Sequence, residues 1–435
     1  MIRLAFALVL VFSLLISMGG IGAAKAVRFP AYTAAKGQAA VPIRSIVIGG
    51  LFSITGNSAT LGQASKFAAE MATEDINGYL EAIDSPSRVV FLLEDTKLNP
   101  DTAAERLPTL AERGARIVIG PQSSAEVAAV KPWADANGVL VVSTASTAGT
   151  LSIPDDNIFR FTPDDALEGQ ATAALMWADG IRTVIPVSRQ DAGNEGLRAA
   201  TKKAFEAMGG RMTEGVRYGA AVQDFQPTLD LLKGEIEAAS RAGGLSNVAV
   251  YLAAYDEGSD IFIRATDDPV FSSIKWYGSD GVALIDVFLG NPMAALFAAK
   301  NYYPNPLPGV DQQARERWEP LSRRIFETTG RTPDTSSLGV YDAMWVATIA
   351  QLAAGDGASI EALKAAFVQT ASTFFGATGW AKLNEAGDRK LGWFEFWAIR
   401  KIDDGQFDSF EWIRIARVAV APGSAGPVIR ENEPR

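Results

Sequence analysis

The sequence predicts an α/β protein built from two doubly wound, parallel-sheet lobes. Short apolar runs rich in β-branched residues alternate with stretches of 3.6-residue apolar periodicity, the mark of buried parallel strands under helices. The alternation restarts after Arg160-Phe161-Thr162-Pro163, giving two series of similar length. The chain has 435 residues, more than the roughly 100–200 of one ordinary domain.

The first series opens with Ser45-Ile46-Val47-Ile48-Gly49-Gly50-Leu51-Phe52, a strand by composition. A helix follows, with Ala64, Phe67, Ala68, Met71 and Ala72 on one face. Arg88–Leu93 is the next strand, and Ala103, Leu107, Leu110 and Ala111 mark the next helix. Ile117–Ile119 and Val139–Val142 are further strands with a helix between them. In the second series, Leu167, Ala171, Ala174, Leu175 and Ala178 form a helical face. Thr183–Val187, Val248–Leu252 and Ile274–Tyr277 read as strands, separated by helices carrying Leu197, Ala204 and Phe205, then Leu229, Leu232 and Ile236. A late helix carries Tyr341, Met344, Trp345, Ile349 and Leu352, and a β-rich segment, Trp393–Ile399, closes the ordered chain. Such alternation implies helices on both faces of each sheet.

The ends have their own character. Arg3, the apolar run Leu4–Met18 and the small-residue site Ala24-Lys25-Ala26 follow the order of a secretory signal peptide. The run is shorter than the ~20 residues of a spanning helix, so cleavage near Val27 and an exported product are expected. Residues 27–42 read as a flexible leader. The stretch from Pro422 is rich in Pro, Gly and charge and reads as disordered.

Composition excludes several classes. The chain has no cysteine and no histidine, so thiolate catalysis, disulfides, a Ser-His-Asp triad and a histidine zinc site are all ruled out. A net charge of −10 argues against a nucleic-acid partner. The phosphate-loop, G-x-G-x-x-G and G-x-S-x-G patterns are missing. No enzyme activity, metal or cofactor is therefore expected. The pairs Asp155/Asp156 and Asp164/Asp165 lie near Pro and Asn, and read as solvated loop charges rather than a carboxylate dyad.

In doubly wound sheets, ligands bind beyond the carboxyl ends of the strands. Three loops there carry suitable groups. Gly120-Pro121-Gln122-Ser123-Ser124 leads into a helix, whose free N–H groups suit a carboxylate or are simply capped by Ser123 or Ser124. Ser143-Thr144-Ala145-Ser146-Thr147 offers hydroxyls to a cleft, or makes a solvated turn. Gly278-Ser279-Asp280-Gly281 places an acid at a strand end, to hold an ammonium or to cap a turn.

From about Ile46 to Ile399 the chain resembles the type I periplasmic binding proteins, specifically the leucine/isoleucine/valine-binding branch of transporter receptors. The resemblance rests on ordered segments: Leu61-Gly62, Asp75-Ile76-Asn77, Glu94-Asp95-Thr96, Ile119–Ser124, Gly138–Ser143 with Ala145–Thr147, Phe159-Arg160-Phe161-Thr162, Gly376-Ala377-Thr378-Gly379-Trp380 and Gly387-Asp388-Arg389. It implies roles for six residues. Ser124 holds the carboxylate of an amino-acid ligand, the Ala145 carbonyl accepts from the ligand amine, and Thr147, with Ser146 beside it, touches both groups. Tyr255 is a cleft tyrosine of the second lobe, and Asp280 pairs with the ligand ammonium. One departure is clear: where the family often has a tyrosine before Gly-x-Gly, this chain reads Asp191-Ala192-Gly193-Asn194-Glu195-Gly196.

The resemblance also implies an organisation. Residues 1–26 are a signal peptide and 27–42 a leader. Residues 43–163 with 305–375 form the first lobe, 164–304 with 376–420 the second, and 421–435 a disordered tail. The lobes are joined by three crossings near Pro163, Pro304 and Phe375. The implied function is capture of a branched-chain or other apolar amino acid for delivery to an ABC-transporter permease, by a periplasmic or extracellular monomer without a cofactor. Two alternatives remain open: a ligand such as an amide, urea or aromatic acid, and a ligand-sensing receptor domain.

Overall fold

The computed structural model describes residues 44–432 except Asn57, Arg331, Leu391 and 403–408. The signal segment, the leader and the last three residues lie outside the described residues. The first lobe is a five-stranded parallel sheet of order β2-β1-β3-β4-β5, made of β1 (Arg44–Phe52), β2 (Ser87–Asp95), β3 (Ile117–Ile119), β4 (Leu140–Ser143) and β5 (Ile158–Arg160). Helices α1 (Ala59–Ala82), α2 (Pro100–Glu112) and α3 (Ser124–Asn137) connect its strands. One face buries Ile46, Ile48 and Ile117 under Ala68, Ala72 and Ile76 of α1. The other buries Val118 and Val141 under Leu107 and Leu110 of α2 and Val127 and Val130 of α3. Burial on both faces explains why these strands read as unbroken apolar runs.

The second lobe has a parallel sheet of order β10-β9-β6-β7, with β8 also paired to β6. Its elements in chain order are α4 (Asp165–Ala178), β6 (Thr183–Arg189), α5 (Ala192–Ala207), β7 (Arg211–Met212), β8 (Val216–Tyr218), α6 (Gln226–Gly243), β9 (Val248–Ala253), α7 (Gly258–Ala265), β10 (Lys275–Gly278) and α8 (Pro292–Lys300). Phe262 of α7 stacks against Trp276, Phe288, Phe297 and Tyr303 at the centre of one face. The chain crosses back through β11 (Asn305–Pro308). It then returns to the first lobe in α9 (Arg315–Thr329), α10 (Thr335–Ala354) and α11 (Ile360–Thr373), whose Leu338, Met344 and Phe367 join the first-lobe core.

Two expectations are corrected beyond this point. Residues 376–390 stay with the first lobe. After the small hairpin β12 (Phe375–Gly376) and β13 (Gly379–Trp380), Ala377 and Ala381 join the first-lobe core. Asp342 of α10 accepts from the Ala377 and Thr378 amides at 2.7 and 2.8 Å, and Arg389 donates to the Thr378 hydroxyl and to the Thr378 and Trp380 carbonyls. The third crossing thus falls between Arg389 and Trp393, not at Phe375. The segment carries no apolar period because it is held by buried polar groups.

The C-terminus is a sheet rather than a disordered tail. β14 (Trp393–Ile402), β15 (Ser409–Ala421) and β16 (Ser424–Arg430) form an antiparallel sheet with β11. Pro422-Gly423 is the hairpin turn, with Gly423 at φ +79° and Ala421 paired to Ser424. Proline followed by glycine at positive φ is a sequence that turns the chain sharply. Val428 packs against the core of the second lobe, and Glu431 pairs with Arg414 and Arg417.

Candidate functional site

The three strand-end loops meet at a cleft between the lobes. The first-lobe wall includes Ser58, Gln122, Ser123, Ser124, Ala145 and Thr147, and the second-lobe wall includes Gly193, Asn194, Tyr255, Asp280 and Leu284. Five of the six residues singled out in the sequence therefore line one cleft. Ser146 does not. It is buried behind the wall, its hydroxyl 3.0 Å from that of Ser124 and its amide donating to Ser143 Oγ.

Local chemistry fixes the first-lobe wall. Ser123 is the N-cap of α3 and forms a reciprocal capping box with Glu126, and Ser123 and Ser124 bring that helix end to the cleft wall. Ser124 Oγ accepts from the Ala148 amide at 3.1 Å, tying the helix start to the 143–148 loop. Ser143 Oγ donates to the Pro121 carbonyl at 2.6 Å, tying the loop back. Gln122 receives the Ser53 amide at 2.9 Å and donates to Ser65. The Leu61-Gly62 motif has a steric reason: a β-carbon at Gly62 would lie 1.7 Å from the Ser53 carbonyl oxygen. Asp95 of the Glu94-Asp95-Thr96 motif accepts from the Ile54 and Lys97 amides and the Thr55 hydroxyl, closing the first loop.

Arg160 anchors the hydroxyl loop from below. It is fully buried, donates to the Ala148 carbonyl at 2.8 Å and to that of Ser146, and pairs with Asp388 at 2.5 Å. Ser152 bridges the pair, accepting from Arg160 and donating to Asp388 Oδ2. Two motifs 228 residues apart in sequence therefore serve one purpose, to hold the loop that brings Ala145 and Thr147 to the cleft.

The second-lobe wall is acidic and aromatic. Asp280 follows β10, and its amide donates to Glu168 Oε1 of α4 at 3.2 Å. The Arg189 guanidinium stands 5.1 Å from the Tyr255 ring while pairing with Asp191 and Glu257. At Gly193, just after the position where the family often has a tyrosine, a β-carbon would lie 3.2 Å from the Tyr255 hydroxyl and 3.7 Å from Ser124 Oγ. The two lobes come together here, and the absence of a side chain at Gly193 leaves the room that Tyr255 enters.

Sequence reasoning missed two residues behind Asp280. Asp165 and Glu168 are 2% and 1% exposed, so the reading of Asp165 as a solvated loop charge is wrong. Oε2 of Glu168 has no hydrogen-bond partner among the described residues, and the Thr147 hydroxyl beside Asp165 only partly offsets the burial of its carboxyl. Burial, with the neighbouring Asp280 charge, pushes the Asp165 carboxyl up to about 8. Glu168 is pushed upward by burial and then by Asp280 and Asp165. Asp280 is raised to about 7, by burial and then by Asp191. Their i, i+3 spacing on one helical face was the available signal.

Known proteins place this arrangement. A model of the periplasmic binding protein family matches residues 45–387, and the chain belongs to that family. An uncharacterized protein of Methanocaldococcus jannaschii is 28% identical over 377 residues, covering 81% of this chain and 87% of its own. The leucine binding protein LivK of Thermotoga maritima superposes with a TM-score of 0.68 at 19% identity, over 85% of this chain and 97% of that one. A solute binding protein of R. palustris, solved with benzoate, gives 0.68 at 19% identity, over 89% and 98%. The fold is thus the type I periplasmic binding protein fold. Among the described residues no helix is long and apolar enough to cross a membrane.

Proposed function

We propose that this protein is an exported receptor of an ABC transporter that captures a zwitterionic amino acid with an apolar side chain and presents it to a membrane permease. One observation carries the reading: a cleft with hydroxyls and a helix N-terminus on one lobe and the Asp280 carboxylate on the other. Ser124, Thr147 and the amides at the start of α3 suit the ligand carboxylate, and Asp280 with the Ala145 carbonyl suits its ammonium. Leu61, Leu98, Leu284, Ile285 and Leu307 supply apolar surface for the side chain. No lysine or arginine is among the described residues lining the cleft, so among them a permanently cationic partner for an isolated acid is lacking.

An aromatic acid is the competing ligand, since structural neighbours from R. palustris and Rhodopseudomonas palustris BisB5 were solved with benzoate and 3,4-dihydroxy benzoic acid. Such a ligand has no cation, and would leave Asp280 buried and unpaired on closure. The reading involves binding and release, with no bond made or broken. A thermal-shift screen of amino acids, amides and benzoates tests it. Stabilisation by apolar amino acids is expected, about 2.7 kcal/mol at a hundredfold excess over Kd. Stabilisation by benzoates alone would replace it.

A further inference from the structure

Behind the cleft lies a feature that simple capture does not use. Asp165 and Glu168, at the start of α4, are buried behind Asp280, whose amide donates to Glu168 Oε1, so that three carboxylates stand in one group. The groups facing them can be named element by element. From β5, Arg160 faces Asp165, but it is already bound to Asp388 and two carbonyls. From the turn before α4 comes Asp164, and from the cap of α5 comes Asp191. From β9 comes Tyr251, whose hydroxyl is fully buried beside Thr201. Beyond β9, Tyr255 adds a second phenol. Arg189 faces that phenol but is paired with Asp191 and Glu257. From across the cleft, Asp334, the N-cap of α10, adds another acid. No lysine is among these groups, and both arginines are engaged.

Three carboxylates so placed cannot all be ionised, because each charge is desolvated and repelled by the others. Carboxylates so coupled titrate as an interacting group rather than as separate sites. Asp280 is the member that reaches the cleft.

We propose that the Asp165–Glu168–Asp280 group is a proton-coupled sensor of the ligand ammonium: an amine-bearing ligand binds as the group ionises and expels a proton. The inference rests on the amino-acid reading above and adds to it a discrimination by charge. An ammonium beside Asp280 replaces the proton as counter-charge. An aromatic or aliphatic acid supplies none, and expels none. Glu168 is a positioning residue here, acting through Asp280, whose amide it holds.

The sign follows from linkage. Asp280 is raised to about 7 in the empty cleft, and an adjacent ammonium lowers it. Affinity is therefore greatest above that value and falls as the pH drops through it, about tenfold between pH 8 and pH 6.

The test is calorimetric titration of the full exported protein with L-leucine, L-isoleucine, L-valine and L-phenylalanine at pH 6.5. Each is measured in phosphate and in imidazole buffer, whose ionisation heats differ. The expected result is a buffer-dependent heat equal to release of roughly 0.5–1 proton per ligand. Glu168→Gln keeps an acceptor for the Asp280 amide and removes the charge. It should cut the release below about half of that and flatten affinity against pH. A structural role alone would change affinity without changing the proton count. Binding with no buffer dependence overturns the sensor and leaves the amino-acid reading standing. Failure of all four amino acids to bind overturns both.

Discussion

At the residue scale, the proposed pairing of Asp280 with a ligand ammonium sets recognition against stability. Asp280→Ala removes the counter-charge for an ammonium. A charge-assisted bond contributes about 1.5–3 kcal/mol, so affinity for the best amino acid should fall roughly 10- to 100-fold, read by calorimetry. The same change relieves Glu168 and Asp165 of a like charge. It should therefore leave the unliganded protein at least as stable as the parent at pH 8. The pH dependence of stability has a definite sign. Asp165 is raised to about 8 by burial first, against about 4 for an aspartate in an unfolded chain. The folded state then binds more protons than the unfolded one between those values, so stability falls as pH rises through that window. The melting temperature of the empty protein should drop from pH 6 to pH 8.5, and Glu168→Gln should shrink the drop. A flat profile would mean these acids are compensated. The acids gave only a weak signal in the sequence: Asp165 and Glu168 share a helical face, but Asp164 and Asp165 adjoin a proline, and spacing alone does not separate a solvated acid from one folded under a cleft.

At the element scale, the hydroxyl loop depends on a strand and a segment far apart in the chain. Arg160 of β5 and Asp388 are both buried, and the pair holds the carbonyls of Ser146 and Ala148. Removing one partner leaves a buried charge, at a cost of about 3–5 kcal/mol. Asp388→Ala should lower unfolding free energy by that order in urea titration and weaken ligand binding with it. The parallel sheets were legible in the sequence because strands buried on both faces are continuous apolar runs. The segment 376–390 was not, since it is fastened by Asp342 and Arg389 rather than by an apolar face. Nor was β16: its Pro-Gly turn has the composition of a disordered tail, and only pairing with β15 distinguishes the two.

At the scale of the whole molecule, the lobes touch through hydrogen bonds as well as across the cleft. Ser58, the N-cap of α1, sits at φ 56° and makes no side-chain cap bond. Asp256 of the second lobe accepts its amide at 2.9 Å, and Thr60 Oγ1 accepts the Asp286 amide at 3.4 Å. The second lobe thus caps a helix of the first, which favours the closed arrangement. A ligand touching both walls favours it further, since only a difference in affinity between open and closed forms can drive closure. Asp256→Ala should leave each lobe folded but weaken binding about tenfold, and small-angle scattering should show compaction only at higher ligand concentration. Unchanged affinity would deny the contact a part in closure. The most direct measurement compares each apolar amino acid with its deaminated acid and its decarboxylated amine by calorimetry on the same protein. The two-walled cleft requires both groups, so each truncated compound should bind at least about 100-fold more weakly than its parent. A deaminated acid that binds as tightly as the amino acid would contradict the assignment of Asp280 and, with it, the zwitterion as ligand.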